Sequence, residues 1–401
     1  MRHRSYALLL LAVAGCSDEP QVTQPPAPVA HAAHVLEYDV VKFSASLGGT
    51  NRRGLAINNR GDVAGFSTLP GNALRHAVLW RGGELTDLGT LGGPGTNSSV
   101  AWAGLNDHGT IVGISQTDTP EPLGESWSCS AFFSAATSTG RICLGFVWAN
   151  GVMTALPTLG GNNGYATASN NRGQAVGWAE TLVHDPTCNG NQVLQFRAVM
   201  WEPKRNRVRQ LRPLPGDSTS AATAINERGQ VVGISGDCDV AVGQFSARHI
   251  VLWEGDRVTQ IPHLGGTNWH TATAINERGT VVGFSNPPGD QNGTLFIAHA
   301  FLWSARSGTR DLGTLPGDQT SQANGINARG QVVGVSSGPG GSRAFLWHDG
   351  VMADLNTLVG PGFADRLVSA TDINDAGQIT GRLLEAGTGL TLPFVATPRR
   401  P

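Results

Sequence analysis

Short apolar runs rich in Val and Ile alternate along the chain with polar knots of Gly, Asn, Asp and Thr, and no stretch carries a helical apolar period. The clearest pair is "ATAINERGQVVGIS" at 222–235 and "ATAINERGTVVGFS" at 272–285. In each, two β-type runs flank the knot Asn-Glu-Arg-Gly, which predicts two strands joined by a tight turn. The Asn recurs as Asn58, Asn106, Asn170, Asn226, Asn276, Asn327 and Asn374, at spacings of 48, 64, 56, 50, 51 and 47 residues. A Gly follows three positions later every time (Gly61 to Gly377), and another four later still (Gly65 to Gly381). Self-similarity at this period predicts a repeat architecture.

Each unit continues with a run such as "HAFLW" at 299–303 and a segment such as "TRDLGTLPGD" at 309–318. The run ends in Trp80, Trp148, Trp201, Trp253, Trp303, Trp347 and, in the seventh place, Phe394. Four short strands per unit of about 50 residues is the signature of a propeller blade. The fourth segment occurs first as a lone copy, "YDVVKFSASLGG" at 38–49, and the last unit lacks it. Pairing of about 38–47 with about 391–397 completes a seventh blade and closes a ring, which removes the two mismatched edges of an open array. The sequence therefore predicts an all-β, seven-bladed β-propeller over 38–397.

The seven Asn read as structural turns. Asn at the first turn position accepts from the backbone two residues on, and Gly at the fourth supplies positive φ. The two positions between them vary. The residues two and four before each Asn are small, which suits crowded innermost strands; Trp102 and Asp372 depart from that rule. Asp372 reads as a hydrogen-bonded structural carboxylate, and the recurring Trp as packing between blades.

Ahead of the repeats, Arg2 and Arg4 precede an apolar run at 6–14, followed by Val13-Ala14-Gly15-Cys16. That string resembles the lipobox of bacterial lipoproteins, which implies a signal peptide at 1–15 and lipidation of Cys16. Ser17 after the cysteine points to the outer membrane. Residues 16–37 are rich in Pro and Ala and read as a disordered tether. The expected location is the cell envelope, with the lipid as membrane anchor and the protein a monomer. Only 14% of residues are charged, the formal net charge is −2, and no basic stripe exists for a phosphate backbone, so nucleic acid is not an expected partner.

Strand order puts the Asn-x-x-Gly turns on one face and the loops between second and third strands on the other. Those loops are short in some units and long at 116–143 and 180–196, and function concentrates in variable loops on a rigid scaffold. Cys129, Cys143, Cys188 and Cys238 fall on the long-loop face, and an even number in an exported chain predicts disulfides. Three pairings are open, of which proximity favours 129–143 with 188–238; no Cys-x-x-Cys string exists, and no metal or cofactor is expected. A basic residue stands four before the Trp in five units: His76, Arg197, His249, His299 and Arg343. Together they form a candidate ring for an anionic ligand, or each holds a neighbouring connector. Asp217, Asp237, Asp239 and Asp318 lie near the expected channel mouth, and Trp127, Phe132, Phe133 and Trp269 are the loop aromatics of a binding surface. Neither His-Glu-x-x-His nor a P-loop is present.

The string "HAFLW … TRDLGTLPGD … ANGINARGQVVGVS" resembles the repeats of the bacterial HAF family of extracellular repeat proteins. His299, Ala300 and Phe301 match the name in full; His76-Ala77-Val78, His249-Ile250-Val251 and Arg343-Ala344-Phe345 match in part. The resemblance implies a secreted or surface-attached repeat protein and brings no catalytic residues. The expected function is therefore binding through the long-loop face, to an envelope protein or polysaccharide, with a carbohydrate-active hydrolase or lyase at the channel mouth as the alternative.

Overall fold

The structure, a computed structural model, describes residues 37–93, 97–102, 104–125, 133, 140–239 and 243–399. The expected leader and most of the tether, with Cys16, Cys129, Trp127 and Phe132, lie outside them.

Seven four-stranded antiparallel sheets form a seven-bladed β-propeller. Six blades are continuous in sequence and run from an inner strand to an outer one: 52–87, 99–155, 160–211, 219–261, 271–313 and 320–354. The seventh takes three strands from the end of the chain, Arg366–Ile373, Ile379–Leu384 and Thr391–Pro398, and its outer strand, Tyr38–Lys42, from the beginning. Tyr38 lies opposite Pro398 and Lys42 opposite Phe394. The closing pair is shorter than the expected 38–47. Beyond Lys42 the chain turns into the first connector, where Phe43 stacks on Trp80 and the Leu47 amide donates to Ser67 Oγ.

The two recurring glycines have different causes. Gly61 and its six counterparts sit at φ between 78° and 83°, the left-handed corner of a type I turn with a bulge. Gly65, Gly113, Gly177, Gly233, Gly283, Gly334 and Gly381 lie where the inner strand bulges against them. A Cβ at any of these would overlap a carbonyl oxygen of that strand.

The seven Asn do more than turn the chain. Oδ1 accepts from the amide four residues on in every copy and, in all but Asn170 and Asn374, also from the amide two on, as Asn226 does from Gln230 and Arg228. Nδ2 donates to the main-chain carbonyl of the corresponding Asn in the next blade. Asn58 reaches Asn106, Asn106 reaches Asn170, and so on to Asn374, which returns to Asn58, at 2.9–3.2 Å. These buried amides form a closed ring of seven hydrogen bonds. The position after each Asn, which read as free to vary, carries a second ring. The amides of Asn59, Asp107, Asn171, Glu227, Ala328 and Asp375 donate at 2.7–2.9 Å to the side chain at the same position one blade on. Only Glu277 is left without this bond, because Ala328 in the next blade has no acceptor.

Between blades the third-strand Trp packs as expected: Trp80, Trp201 and Trp253 are buried. Trp201 and Trp253 donate from Nε1 to the Pro157 and Arg212 carbonyls of the preceding connectors at 2.8 and 2.7 Å. The Ala four before each Asn pack towards the adjacent blade rather than the axis; Ala222, for example, joins Val176 and Met200 in one cluster. Asp372 takes a structural place at the seam, where its carboxylate accepts from the Ile57 amide of blade one (2.9 Å) and the Ile373 amide (2.8 Å). Burial raises it to about 7.

Candidate functional site

The inner strands run from the connectors towards the Asn turns, so the residues three and five before each Asn face the axis on its long-loop half. There they line a central channel of about 480 Å³. Thr167, Thr273, Asn324 and Thr371 occupy the nearer position, and each donates to a main-chain carbonyl of the next inner strand, at Ala222, Ala323, Ala370 and Gly54. These bonds fix the wall. Arg53 and Arg382 come from the adjoining blades one and seven, Trp102 from blade two, Tyr165 and Trp178 from blade three, Phe284 from blade five and Gln322 from blade six. No carboxylate lines the channel among the described residues.

Arg53 is the second residue of the inner strand of blade one, Arg75 opens its third strand, and Arg382 lies on the second strand of blade seven, opposite Ser369. All three are partly buried; Arg53 and Arg382 line the channel, and Arg75 stands beside Arg53 over the same Phe66 ring. Arg53 and Arg75 place their guanidinium carbons 5.8 and 4.8 Å from the ring centre of buried Phe66. Burial, and then the charges of Arg382 and Arg75, hold Arg53 down to about 10, and burial also lowers Arg75 and Arg382. The Arg53 Nε is buried without a hydrogen-bond partner. The ion pairs of the described residues include none of the three, whereas Arg81, Arg248, Arg343 and Arg399 all hold carboxylates. Three cations desolvated together without an anion are unfavourable unless something else neutralises them.

The sequence-derived ring does not converge in this way. His76 pairs with Asp87 (2.9 Å), His249 with Asp217 (3.0 Å), His299 with Asp311 (2.9 Å), and Arg343 with Asp318 and Asp354 (2.9 and 3.2 Å). Arg197 is partly buried near Asp185 and Asp217. Each thus holds or faces carboxylates of blade edges and connectors. The acids expected near the mouth are engaged too: Asp237 holds Arg248, and Asp239 accepts from the Phe245 amide. The loop aromatics also differ from expectation. Phe133 is buried, and Trp269 packs edge-on against Phe296 and donates to the Gly293 carbonyl. Aromatic surface faces the channel instead, led by Trp102, which is 39% exposed.

Blades two to four carry the long loops, and covalent and buried polar ties hold them. Cys188 and Cys238 form a disulfide between blades three and four. Cys143 is disulfide-bonded as well, and its expected partner Cys129 lies outside the described residues. Glu125 Oε1 accepts from the Val193 and Leu194 amides (2.8 and 2.6 Å), which ties the blade-two insertion to the blade-three loop. Gln192 Nε2 bridges Glu125 and Glu180 at 3.3 and 3.2 Å. Burial, then the charge of Glu125, raises Glu180 to about 7, and burial raises Glu125. Both acids are sealed from solvent, at 1% and 0% exposure, so they clamp loops and meet no substrate.

One string in the chain, Gly334-Val335-Ser336-Ser337-Gly338, matches the Gly-x-Ser-x-Gly of a nucleophile elbow. It lies inside a strand, Val332–Gly338, and not on a strand-to-helix turn. Ser336 Oγ accepts the Leu315 amide, as Ser67, Ser115, Ser235 and Ser285 do for Leu47, Leu91, Leu214 and Leu264. The serine is a repeated connector clasp.

No protein-family profile matches the chain, and no curated protein does. Among solved structures it is similar to dipeptidyl peptidase 4 of Porphyromonas gingivalis, at 10% identity and a TM-score of 0.37 over 82% of this chain and 49% of that one. It is similar also to Trypanosoma rangeli sialidase in complex with sialic acid (11%, 0.36, 90% and 57%) and to YjhT (11%, 0.36, 91% and 100%). The chain spans about half the length of the first two.

Proposed function

We propose that the protein is a binding module that takes its ligand into the mouth of the central channel on the long-loop face. The observation that carries this reading is the channel itself: a preformed concavity walled by Trp102, Tyr165 and Trp178, polar at Gln322 and Asn324, and without a carboxylate among the described residues. Glycoside hydrolysis ordinarily uses a pair of carboxylates across the scissile bond, and the described residues of the lining offer none. Binding is therefore favoured over the hydrolase alternative.

The same reading places the protein in the cell envelope as a HAF-type repeat protein, lipid-anchored through Cys16. Val13-Ala14-Gly15-Cys16 supports the anchor, and the Cys188–Cys238 disulfide supports an oxidising, exported compartment. The binding test is retention of the full chain on immobilised envelope polysaccharides and proteins, with Trp102→Ala as the companion variant. Retention that falls at least about tenfold with Trp102→Ala supports the proposal. No retention on any of them, or retention that Trp102→Ala leaves intact, overturns it. For the anchor, Cys16→Ala releases the protein from the membrane fraction; an unchanged distribution overturns that part.

A further inference from the structure

We infer that Arg53, Arg75 and Arg382 form an anion subsite at the channel mouth that receives the carboxylate of an acidic sugar. This rests on the binding reading above and names its ligand class.

Three observations lead there. Two of the three arginines, Arg382 and Arg53, depart from the repeat; the counterpart of Arg75 in blade four is also an arginine, Arg248, but that one holds Asp237. Where Arg382 stands, the other six blades carry Phe66, Ile114, Trp178, Ile234, Phe284 and Val335, all apolar. Where Arg53 stands, they carry Ala, Thr, Ser, Gln or Tyr. Blades one and seven meet at the seam, so the two departures fall side by side. A purely architectural role would be met by the apolar residue that serves six times.

The second observation is charge. The cluster is not neutralised from within, because none of the three arginines is in an ion pair among the described residues. Outside the described residues, the internal segments 94–96, 103, 126–132, 134–139 and 240–242 contain no Asp or Glu, and the N-terminal 36 residues contain two, Asp18 and Glu19. The stack of Arg53 and Arg75 on Phe66 steadies two guanidinium groups without supplying a counter-charge. A planar guanidinium fork matches a carboxylate in two parallel hydrogen bonds.

The third is the rest of the wall. On the blade next to Arg53, Trp102 presents aromatic surface, backed in blade three by the buried Tyr165 and Trp178, while Gln322 and Ser369 add polar groups. An anionic head, an apolar face and several hydroxyls are what a uronic acid residue offers, and about 480 Å³ accommodates one or two sugar rings. Inorganic phosphate or sulfate would use the arginines and leave the aromatic wall idle.

Calorimetric titration of the full chain with glucuronate and galacturonate oligosaccharides, neutral glucose and galactose oligosaccharides of equal length, inorganic sulfate, and short peptides with free carboxyl termini tests this. Uronate oligosaccharides are expected to bind, and their neutral counterparts at least about tenfold more weakly. Arg382→Gln and Arg53→Gln are each expected to lose about tenfold for uronates, with affinity falling as salt is raised. Removing one of three like charges relieves repulsion, so the melting temperature of Arg382→Gln is expected to be equal to or above that of the parent. A lowered melting temperature with unchanged uronate affinity assigns Arg382 to architecture and overturns the inference. Equal binding of neutral and acidic sugars, sensitive to Trp102→Ala but not to the arginines, overturns the anion subsite and leaves the binding module standing. Binding of sulfate or peptide carboxylates without uronates overturns the sugar assignment. No binding of any probe overturns the inference.

Discussion

Asn374 Nδ2 donates to the carbonyl oxygen of Asn58 at 2.9 Å, across 316 residues of sequence. It is the last of seven identical bonds, and it crosses the seam where the chain meets itself. Four more bonds cross there, from Thr371 to Gly54, from the Asp375 amide to Asn59, from Asn59 Nδ2 to Asp375, and from the Ile57 amide to Asp372. The closing interface thus carries the same two ring bonds as those between covalently continuous blades.

The ring makes the Asn costly to replace. Asn226→Ala removes an acceptor from the Arg228 and Gln230 amides and a donor from Gln230 Oε1 and the Asn276 carbonyl. A loss of about 2–4 kcal/mol is expected, since each buried bond contributes roughly 0.5–1.5 kcal/mol and leaves a partner unsatisfied. Asn226→Asp keeps the acceptor and is expected to lose about half as much. Chemical denaturation midpoints at constant slope measure both, and equal losses would refute a role for the donor.

The gap in the second ring can be filled. Ala328→Asp offers the Glu277 amide the acceptor that Asp375 already gives Ala328. A gain of about 0.5–1 kcal/mol is expected. A melting temperature at or below the parent's would show that the remaining six bonds do not depend on side-chain identity as described.

Stability should depend on pH through Glu180. Its carboxyl is raised in the fold to about 7 from an ordinary 4.5. In the interval between, the folded chain binds more protons than the unfolded one, so this contribution is complete below about 4.5 and is lost as pH rises through 7. Glu180→Gln imitates the protonated acid, and the Gln192 Oε1, which is buried without a partner, can turn to accept from the new amide. The variant is expected to exceed the parent by about 1–3 kcal/mol at pH 8 and to match it near pH 4. The difference between the two denaturation series isolates this site from the acids that arginine and histidine hold low.

Reduction of the Cys188–Cys238 disulfide releases a loop that spans 50 residues of sequence. The chain-entropy account gives about 4 kcal/mol for a closure of that length. Cys188→Ser with Cys238→Ser is expected to lose about 2–4 kcal/mol and to loosen the blade-three loop first. Hydrogen exchange at Val193 and Leu194, whose amides are tied to Glu125, reads the local effect.

The repeat was legible because its Asn and Gly answer to local geometry, which is the same in every copy. Counting them gave seven blades and the split last one. The hydrogen bonds that join blades were not legible, because donor and acceptor lie 47–64 residues apart, or 316 at the seam, and the second ring accepts Asn, Asp or Glu alike. The anion-ring candidates His76, Arg197, His249, His299 and Arg343 recur with the repeat, and a residue that recurs five times is explained by a contact that recurs. Arg53, Arg382, Trp102 and Asp372 are the positions where one blade breaks the pattern. Three of these line the channel and the fourth holds the seam. Aligning the copies by their Asn and reading the exceptions would have found the mouth. Arg75, at the start of a strand after a variable loop, has no such signal.

The two ends of the described chain lie side by side: the Arg399 amide donates to the Glu37 carbonyl at 2.7 Å, and the Arg399 guanidinium holds Asp39. Where the backbone is interrupted is therefore a matter of bookkeeping for this ring. A linker across that contact, with a new opening in the connector between any two other blades, yields a circular permutant whose seven sheets are each uninterrupted by termini. The channel mouth can in this way be presented with its tether leaving from whichever blade an application requires.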